Sequence, residues 1–215
     1  MLYVINKVGE QGGAERFTLG LAAALPRDRI EPWVCVTRSA TEGALRILRE
    51  AAVPTVILGR RTRWHSYRML GLSRLLHRQR FDVLHSHMFG SNLWGMALGR
   101  LARVPVLVAH EHTWSFQGNP ARAWADANFI GRLATRFVAV SSLDAQRMIE
   151  QEGVPVDKVV TMPTAWVRRP DSAGDIRAEL GLAPGAKVWP VQSVTLRPAY
   201  GIPMRLGRVR TNPAA

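Results

Sequence analysis

Along the first 162 residues, short runs of consecutive apolar side chains take turns with stretches whose apolar positions recur at helical spacing. The first rhythm predicts buried strands, the second amphipathic helices. Leu2-Tyr3-Val4-Ile5 opens as a strand, Gly9, Gly12 and Gly13 make a glycine loop, and Arg16 to Leu25 reads as a helix. Pro32 to Thr37 predicts a second strand, Glu42 to Ala52 a helix with Leu45, Leu48 and Ala52 on one face, and Pro54 to Leu58 a third strand. Phe81 to His85 is the fourth strand, Ser91 to Arg103 a helix rich in small residues, Val106 to His110 the fifth strand and Phe137 to Val140 the sixth. Ser142 reads as the N-cap of a helix over Leu143 to Gln151, and Lys158 to Met162 as a short seventh strand. Strand and helix alternating in this way predict an α/β fold, a parallel sheet with helices on both faces. Its ligand crevice is expected at the carboxyl ends of the strands.

Beyond Pro163 the rhythm stops. Prolines and arginines are scattered over the last fifty residues, and only Ile176 to Leu180 (helix) and Val188 to Leu196 (strand) keep a pattern. The expected division is therefore a domain over 1–165 and a segment over 166–215 too short and broken to bury a core of its own. The 215 residues are 47% hydrophobic and 21% charged, which suits a globular protein. The best candidate for a membrane span, Leu93 to Ala109, is interrupted by Arg100 and Arg103. Phe17 to Leu25 resembles a signal-peptide core, but Glu10 and Glu15 precede it where basic residues are wanted. The single cysteine, Cys35, cannot form an internal disulfide and reads as a buried, inert thiol in a reducing compartment. The formal net charge of +13 calls for an anionic partner: nucleic acid, an acidic membrane surface or phosphorylated small molecules.

Three stretches carry candidate chemistry. The glycine loop precedes a helix whose free N–H groups and positive dipole end suit an anion or sugar hydroxyls, although the same glycines would also serve a plain tight turn. Its spacing is not that of a dinucleotide fingerprint or a P-loop, and Thr37-Arg38 ends the second strand without the acidic residue that holds a ribose. Arg38 could instead suit a ribose phosphate. Two His-x-His pairs, His85 with His87 and His110 with His112, stand at the ends of the fourth and fifth strands, both rings of each pair on one side of the sheet if the strand extends that far. They suit ligand contact, or a divalent metal with Glu111 or Asp144 as carboxylate. From Arg60 to Arg80, seven arginines occur without an acidic residue, interleaved with Trp64, Tyr67, Met69, Leu72, Leu75 and Leu76. That is a surface helix covering the sheet, or a patch of Arg60, Arg61, Arg63, Trp64 and Arg68 that rests on anionic lipid or phosphates.

Val8-Gly9-Glu10-Gln11-Gly12-Gly13-Ala14-Glu15-Arg16 after the first strand, Phe81 through Gly90, Ala109-His110-Glu111-His112-Thr113-Trp114-Ser115, and Phe137-Val138-Ala139-Val140-Ser141-Ser142 together resemble the N-terminal domain of family 4 glycosyltransferases. The resemblance covers Met1 to about Met162, and Arg177 to Leu182 is similar to the family's entry into its second domain. It implies a Rossmann-like domain, the N-terminal half of a GT-B fold. The implied reaction is retaining transfer from a nucleotide-sugar donor to a lipid-linked or polysaccharide acceptor, with neither metal nor other cofactor. On this chain it places Gly12, Gly13 and Glu15 in the donor and phosphate loop, and His112, with His110 second, at the sugar as the catalytic histidines. It places His85, Ser86, His87 and Ser141 on the acceptor side. Pro163-Thr164-Ala165 stands where the family has Pro-Asn-Gly, and the donor domain's basic and acidic residues have no counterpart, so little activity is expected of the chain alone. The implied setting is the cytoplasm, at the inner membrane face. Rival readings are an inactive remnant that binds only acceptor or membrane, and a metal-dependent hydrolase using the His-x-His pairs. No nucleic-acid motif accompanies the arginines.

Overall fold

The computed structural model describes residues 1–10, 12–112 and 118–163, with Arg63 described by its backbone alone. The expected segment over 166–215, like Thr113 to Gln117 in the fifth-strand loop, lies outside the described residues.

Seven parallel strands form one sheet in the order β3-β2-β1-β4-β5-β6-β7. They are β1 (Leu2–Val8), β2 (Trp33–Ala40), β3 (Thr55–Ile57), β4 (Val83–His87), β5 (Val106–Glu111), β6 (Arg136–Ala139) and β7 (Val159–Thr161). Helices α1 (Gly13–Ala24) and α2 (Glu42–Glu50) connect the first three strands; a 3₁₀ turn (Arg63–Met69) and α3 (Leu70–Gln79) lead to β4, and α4 (Phe89–Leu101) to β5. Next come α5 (Pro120–Ala125), a π-helical turn (Asp126–Ile130), α6 (Gly131–Leu133) and, after β6, α7 (Ser142–Glu150). The order of strands reverses between β1 and β4, so the loops after these two strands flank the crevice in which α/β sheets hold ligands.

The alternation of side chains along β1 separates two cores. Leu2 and Val4 join Met69, Leu72, Leu76, Met96 and Met148 on one face. Tyr3 and Ile5 join Leu19 and Ala22 of α1 and Ala44 and Leu48 of α2 on the other. A strand buried on both faces must be apolar at consecutive positions, which is why the first residues read as an unbroken run. Between Ile5 and Lys7 the register against β2 slips, Ile5 facing Val36 but Lys7 facing Ser39. This bulge lies where the Thr37 hydroxyl donates to Asn6 Oδ1 at 2.9 Å.

Small residues of α4 bring it close to the sheet, as expected. A Cβ on Gly95 would lie 3.0 Å from Ser86 Cβ, and one on Gly99 2.6 Å from Leu107 Cδ2. Leu72 and Leu76 of α3 are buried, so the basic stretch does cover the sheet through that face. Cys35 is fully buried and its thiol is pushed up to about 12 by burial. One cap differs from expectation: Ser141, not Ser142, precedes α7, because its extended backbone (φ −147, ψ 160) lets its hydroxyl accept the Asp144 N–H at 3.1 Å. No helix among the described residues is long and apolar enough to cross a membrane.

Candidate functional site

β4 and β5 run side by side in parallel, His85 level with Val108 and His87 with His110. β4 runs through His87 and β5 through Glu111, so His85 and His87 on β4, and His110 on β5 with His112 just past its end, project to one face. The four rings form a stack. His85 and His87 have centroids 4.3 Å apart, and His110 and His112 4.2 Å. His85 Nε2 meets His110 Nδ1 at 3.2 Å, and His87 Nδ1 meets His112 Nε2 at 2.9 Å. Tyr3 stacks on His87 from β1, and the edge of Phe17 from α1 faces His87, His110 and His112. Only His112 lies at the rim; His87 and His110 have no exposed surface and His85 almost none.

Burial makes the charged form of each ring unfavourable. It pushes His85 down to about 3 and His110 to about 2, with neighbouring histidines adding to the effect. His87 is driven well below its ordinary value by the same causes, and His112 to about 4 by burial. All four are neutral at physiological pH, so each offers one donor and one acceptor nitrogen. The two ring pairs use one nitrogen of each ring. His87 Nε2 and His110 Nε2 remain buried without a hydrogen-bond partner among the described residues.

Ser86 and Glu111 lie between the paired histidines in sequence and therefore on the opposite face. Ser86 donates from Oγ to Asn92 Oδ1 at 2.7 Å, and Asn92 Nδ2 donates to Glu111 Oε1 at 2.7 Å and to the His110 carbonyl at 3.3 Å. Burial pushes the Glu111 carboxyl well up; the charge of Asp126 adds to this, and the Asn92 hydrogen bond only partly offsets it. The expectation that Ser86 shares a ligand-facing side with His87 is thus corrected by strand alternation. The same geometry bears on metal binding. His85, His87 and His110 each place a ring nitrogen within 4.8 Å of the others, a set that could draw in around a divalent ion of zinc type. Neither carboxylate named for a hydrolase joins them. Glu111 faces α4, and Asp144 accepts the Ser141 hydroxyl at 2.6 Å in the α7 cap.

At the glycine loop α1 begins at Gly13, capped by Gly12, whose carbonyl accepts the Arg16 N–H at 2.8 Å. Gly12 has φ −79, so no left-handed conformation demands a glycine there. A Cβ on Gly12 would stand 2.9 Å from Glu15 Cδ, and one on Gly9 2.7 Å from Glu15 Oε2, contacts that the flexible Glu15 side chain relieves by moving. A Cβ on Gly13 would meet nothing within 4 Å, so the start of the helix is open to a ligand. Ser141 spends its hydroxyl on the α7 cap. Arg60 is half-buried, Arg61, Trp64 and Arg68 are exposed, and these lie on β3's outgoing loop and the 3₁₀ turn, away from the histidines.

Three residues escaped the sequence reading: Phe17, which covers the histidines, Asn92, which ties Ser86 to Glu111, and Met88. Met88 has φ 70 and ψ 150 at the junction of β4 and α4, a region that favours glycine, and its N–H donates to the His110 carbonyl at 2.8 Å. A methionine carries no sequence signal for such a backbone.

The sequence matches Glycosyltransferase Family 4 over residues 11–165. The D-inositol 3-phosphate glycosyltransferase of Nocardia farcinica is 33% identical over 121 residues, 50% of this chain and 27% of that protein. The UDP-Gal:alpha-D-GlcNAc-diphosphoundecaprenol alpha-1,3-galactosyltransferase of Escherichia coli is 24% identical over 101 residues, 44% of this chain and 26% of that protein. Among solved structures, Anabaena Alr3699/HepE in complex with UDP and glucose aligns with a TM-score of 0.65 at 18% identity, covering 84% of this chain and 50% of that one. A glycosyltransferase from Rickettsia africae aligns with a TM-score of 0.60 at 16% identity, covering 75% of this chain and 42% of that one. The matched stretch is about a quarter of each curated relative, and the chain spans about half of the structures. The structural likeness shows the fold, the Rossmann-like half of a GT-B architecture.

Proposed function

The chain belongs to glycosyltransferase family 4, and from that membership we propose that it is the acceptor-side half of an enzyme that moves a sugar, with retention, from a nucleotide-sugar donor to a lipid-linked or polysaccharide acceptor. The observation that carries this reading is the family match across residues 11–165, which takes in the start of α1, both histidine pairs and the Ser141-Ser142 turn. The UDP and glucose of the Anabaena structure support the donor class. The acceptors named for the two curated relatives, an inositol phosphate and a diphospho-linked lipid, support a phosphorylated acceptor.

In this reading Gly12 and Gly13, with the free N–H groups of α1, lie against the donor diphosphate, and Glu15 braces the loop. Departure of a diphosphate from an oxocarbenium-like sugar needs oriented dipoles more than a strong nucleophile. His112 is the group at the sugar, and His87 fixes its tautomer through the 2.9 Å ring bond. His110 backs it, and His85, His87 and the Ser141 corner shape the acceptor side. The reading invokes no metal, as the family resemblance implies. The patch of Arg60, Arg61, Arg63, Trp64 and Arg68 is read as a contact for anionic lipid or phosphates at a cytoplasmic membrane face, a reading that the exposure of Trp64 (77%) and Tyr67 (60%) supports.

Transfer assays with labelled UDP- and GDP-sugars test the reading, run on the 215-residue chain and on the chain joined to the donor domain of a similar full-length enzyme. The expected result is no turnover by the chain alone and turnover by the fusion. Failure of the fusion with every sugar would favour a binding remnant. Stimulation of hydrolysis by zinc in the chain alone would favour the metal-dependent alternative.

A further inference from the structure

A second polar site lies away from the histidines, at the carboxyl ends of β2 and β3. A cavity of about 560 Å³ is lined there by Arg38, Ser39, Gly59, Arg61, His65 and Arg68. Two of its guanidinium groups are held in place by backbone carbonyls. Arg38 Nη2 donates to the Arg61 carbonyl at 2.8 Å, and Arg68 Nη1 donates to the Leu58 carbonyl at 2.8 Å. A guanidinium has five N–H donors, so each of these bonds fixes the fork and leaves most of its donors for something else. Gly59, at φ 67, keeps the wall thin; a Cβ there would stand 3.0 Å from Arg68 Nη1.

The charge around the cavity is one-sided. Arg46 with Glu50, Arg49 with Glu42 and Arg147 with Asp144 are ion pairs elsewhere, and the described residues that line this cavity include no carboxylate. Arg60, next to the lining, is pushed below its ordinary value by burial and then by the charge of Arg38. Its Nε and the Nδ1 of His65 are buried without a hydrogen-bond partner among the described residues. Like charges with anchored forks, no carboxylate among the described lining residues and buried nitrogens without a partner among them are the arrangement that a multivalent oxyanion completes.

We propose that this cavity binds a phosphate or diphosphate group, with Arg38, Arg61 and Arg68 as its ligands and His65 as a further hydrogen-bond partner. Resting on the transferase reading above, we assign that group to the acceptor. The site then anchors the acceptor by its phosphate while the hydroxyl to be glycosylated reaches the histidines. The same chemistry is offered by a lipid diphosphate headgroup and by a soluble sugar or cyclitol phosphate.

Isothermal titration of the 215-residue chain with inorganic pyrophosphate tests the site. Wild type is expected to bind, and Arg38→Gln/Arg68→Gln to bind about tenfold or more weakly, equivalent to about 1.4 kcal/mol. Arg100→Gln/Arg136→Gln, the same charge change elsewhere, is expected to leave binding unchanged. Arg61→Gln is the second variant: the side chain is exposed, and only its backbone carbonyl receives Arg38, so folding is retained while binding weakens. No pyrophosphate binding by wild type, or equal weakening in the Arg100/Arg136 control, would overturn the proposal. Flotation with phosphatidylcholine vesicles carrying a polyprenyl diphosphate, against vesicles of equal charge carrying phosphatidylglycerol, separates the sources. Preference for the diphosphate vesicles supports a lipid headgroup, and pyrophosphate binding without that preference supports a soluble phosphate. Pyrophosphate binding without transfer by the fused enzyme would leave the site standing and remove the transferase reading. Transfer without pyrophosphate binding would do the reverse.

Discussion

Asn92 has no exposed surface, and its amide joins β4, β5 and α4 by accepting from Ser86 and donating to Glu111 and the His110 carbonyl. Replacing it by leucine, of similar size, would remove the Glu111 donor and leave Ser86 only a long contact to the Val108 carbonyl at 3.4 Å, each lost partner costing about 1–3 kcal/mol, while the His110 carbonyl keeps the Met88 N–H. Asn92→Leu is expected to lower stability by about 2–4 kcal/mol, read from the urea midpoint at unchanged m-value. A loss below about 1 kcal/mol would mean that water replaces the amide. Residues of this kind are where sequence reading is weakest. The histidine pairs were legible because two rings one residue apart on a strand must share a face. Asn92 was not, since a polar residue in the first turn of a helix reads as a surface residue until the partner strand is known. For Ser86 the period of two was itself the answer: it sits between His85 and His87 and must face away from both.

At the scale of the element, α1 and α4 show how the same residue type takes opposite roles. A Cβ on Gly99 of α4 would come within 2.6 Å of Leu107 Cδ2 and 3.2 Å of Leu84 Cδ1, both in the closed core. On Gly20 of α1 it would meet nothing within 4 Å. Alanine in place of helical glycine adds about 1 kcal/mol of helix stability where there is space. Gly20→Ala is therefore expected to raise the thermal midpoint. Gly99→Ala is expected to lower it, because overpacking costs about 1–3 kcal/mol and outweighs the helix gain. Equal shifts in the two variants would show that α4 can slide outward without loss. Small residues in α4 were visible as a pattern, and their purpose, close approach to β4 and β5, was read correctly. The cap of α7 was read one residue late, because Ser141 and Ser142 are chemically equal and only the extended backbone at Ser141 selects it.

For the molecule as a whole, the histidine stack sets the response to acid. The four folded rings titrate far below the ordinary value of about 6.5 that they have in the unfolded chain. Below that pH the unfolded state holds more protons than the folded state, so stability falls as pH falls, by up to about 1.4 kcal/mol per histidine per pH unit. Glu111 acts in the opposite sense: its raised folded value makes stability fall as pH rises above its ordinary value of about 4.3. It is one group against four, and the histidines prevail. By pH 5 their sum, roughly 6–8 kcal/mol, is comparable with the whole stability of a domain, about 5–15 kcal/mol. The thermal midpoint is expected to drop steeply between about pH 6.5 and pH 5. A flat profile would mean that the rings accept protons in place. Taken alone, the sequence determined the α/β class, the parallel sheet, five of the seven strands to within about two residues at each end, the first and second running three residues beyond their expected ends, and the family, because each depends on local periodicity or on residues contiguous in the chain. The fourth strand runs two residues beyond its expected end, through His87, and so carries both histidines of its pair. The tertiary structure alone decided that the histidines stack, that three of them are buried and neutral, and that Arg38 meets Arg61 and Arg68 across a cavity. Those facts depend on which strand lies beside which and on how much water is excluded, and both are properties of distant segments brought together by the sheet.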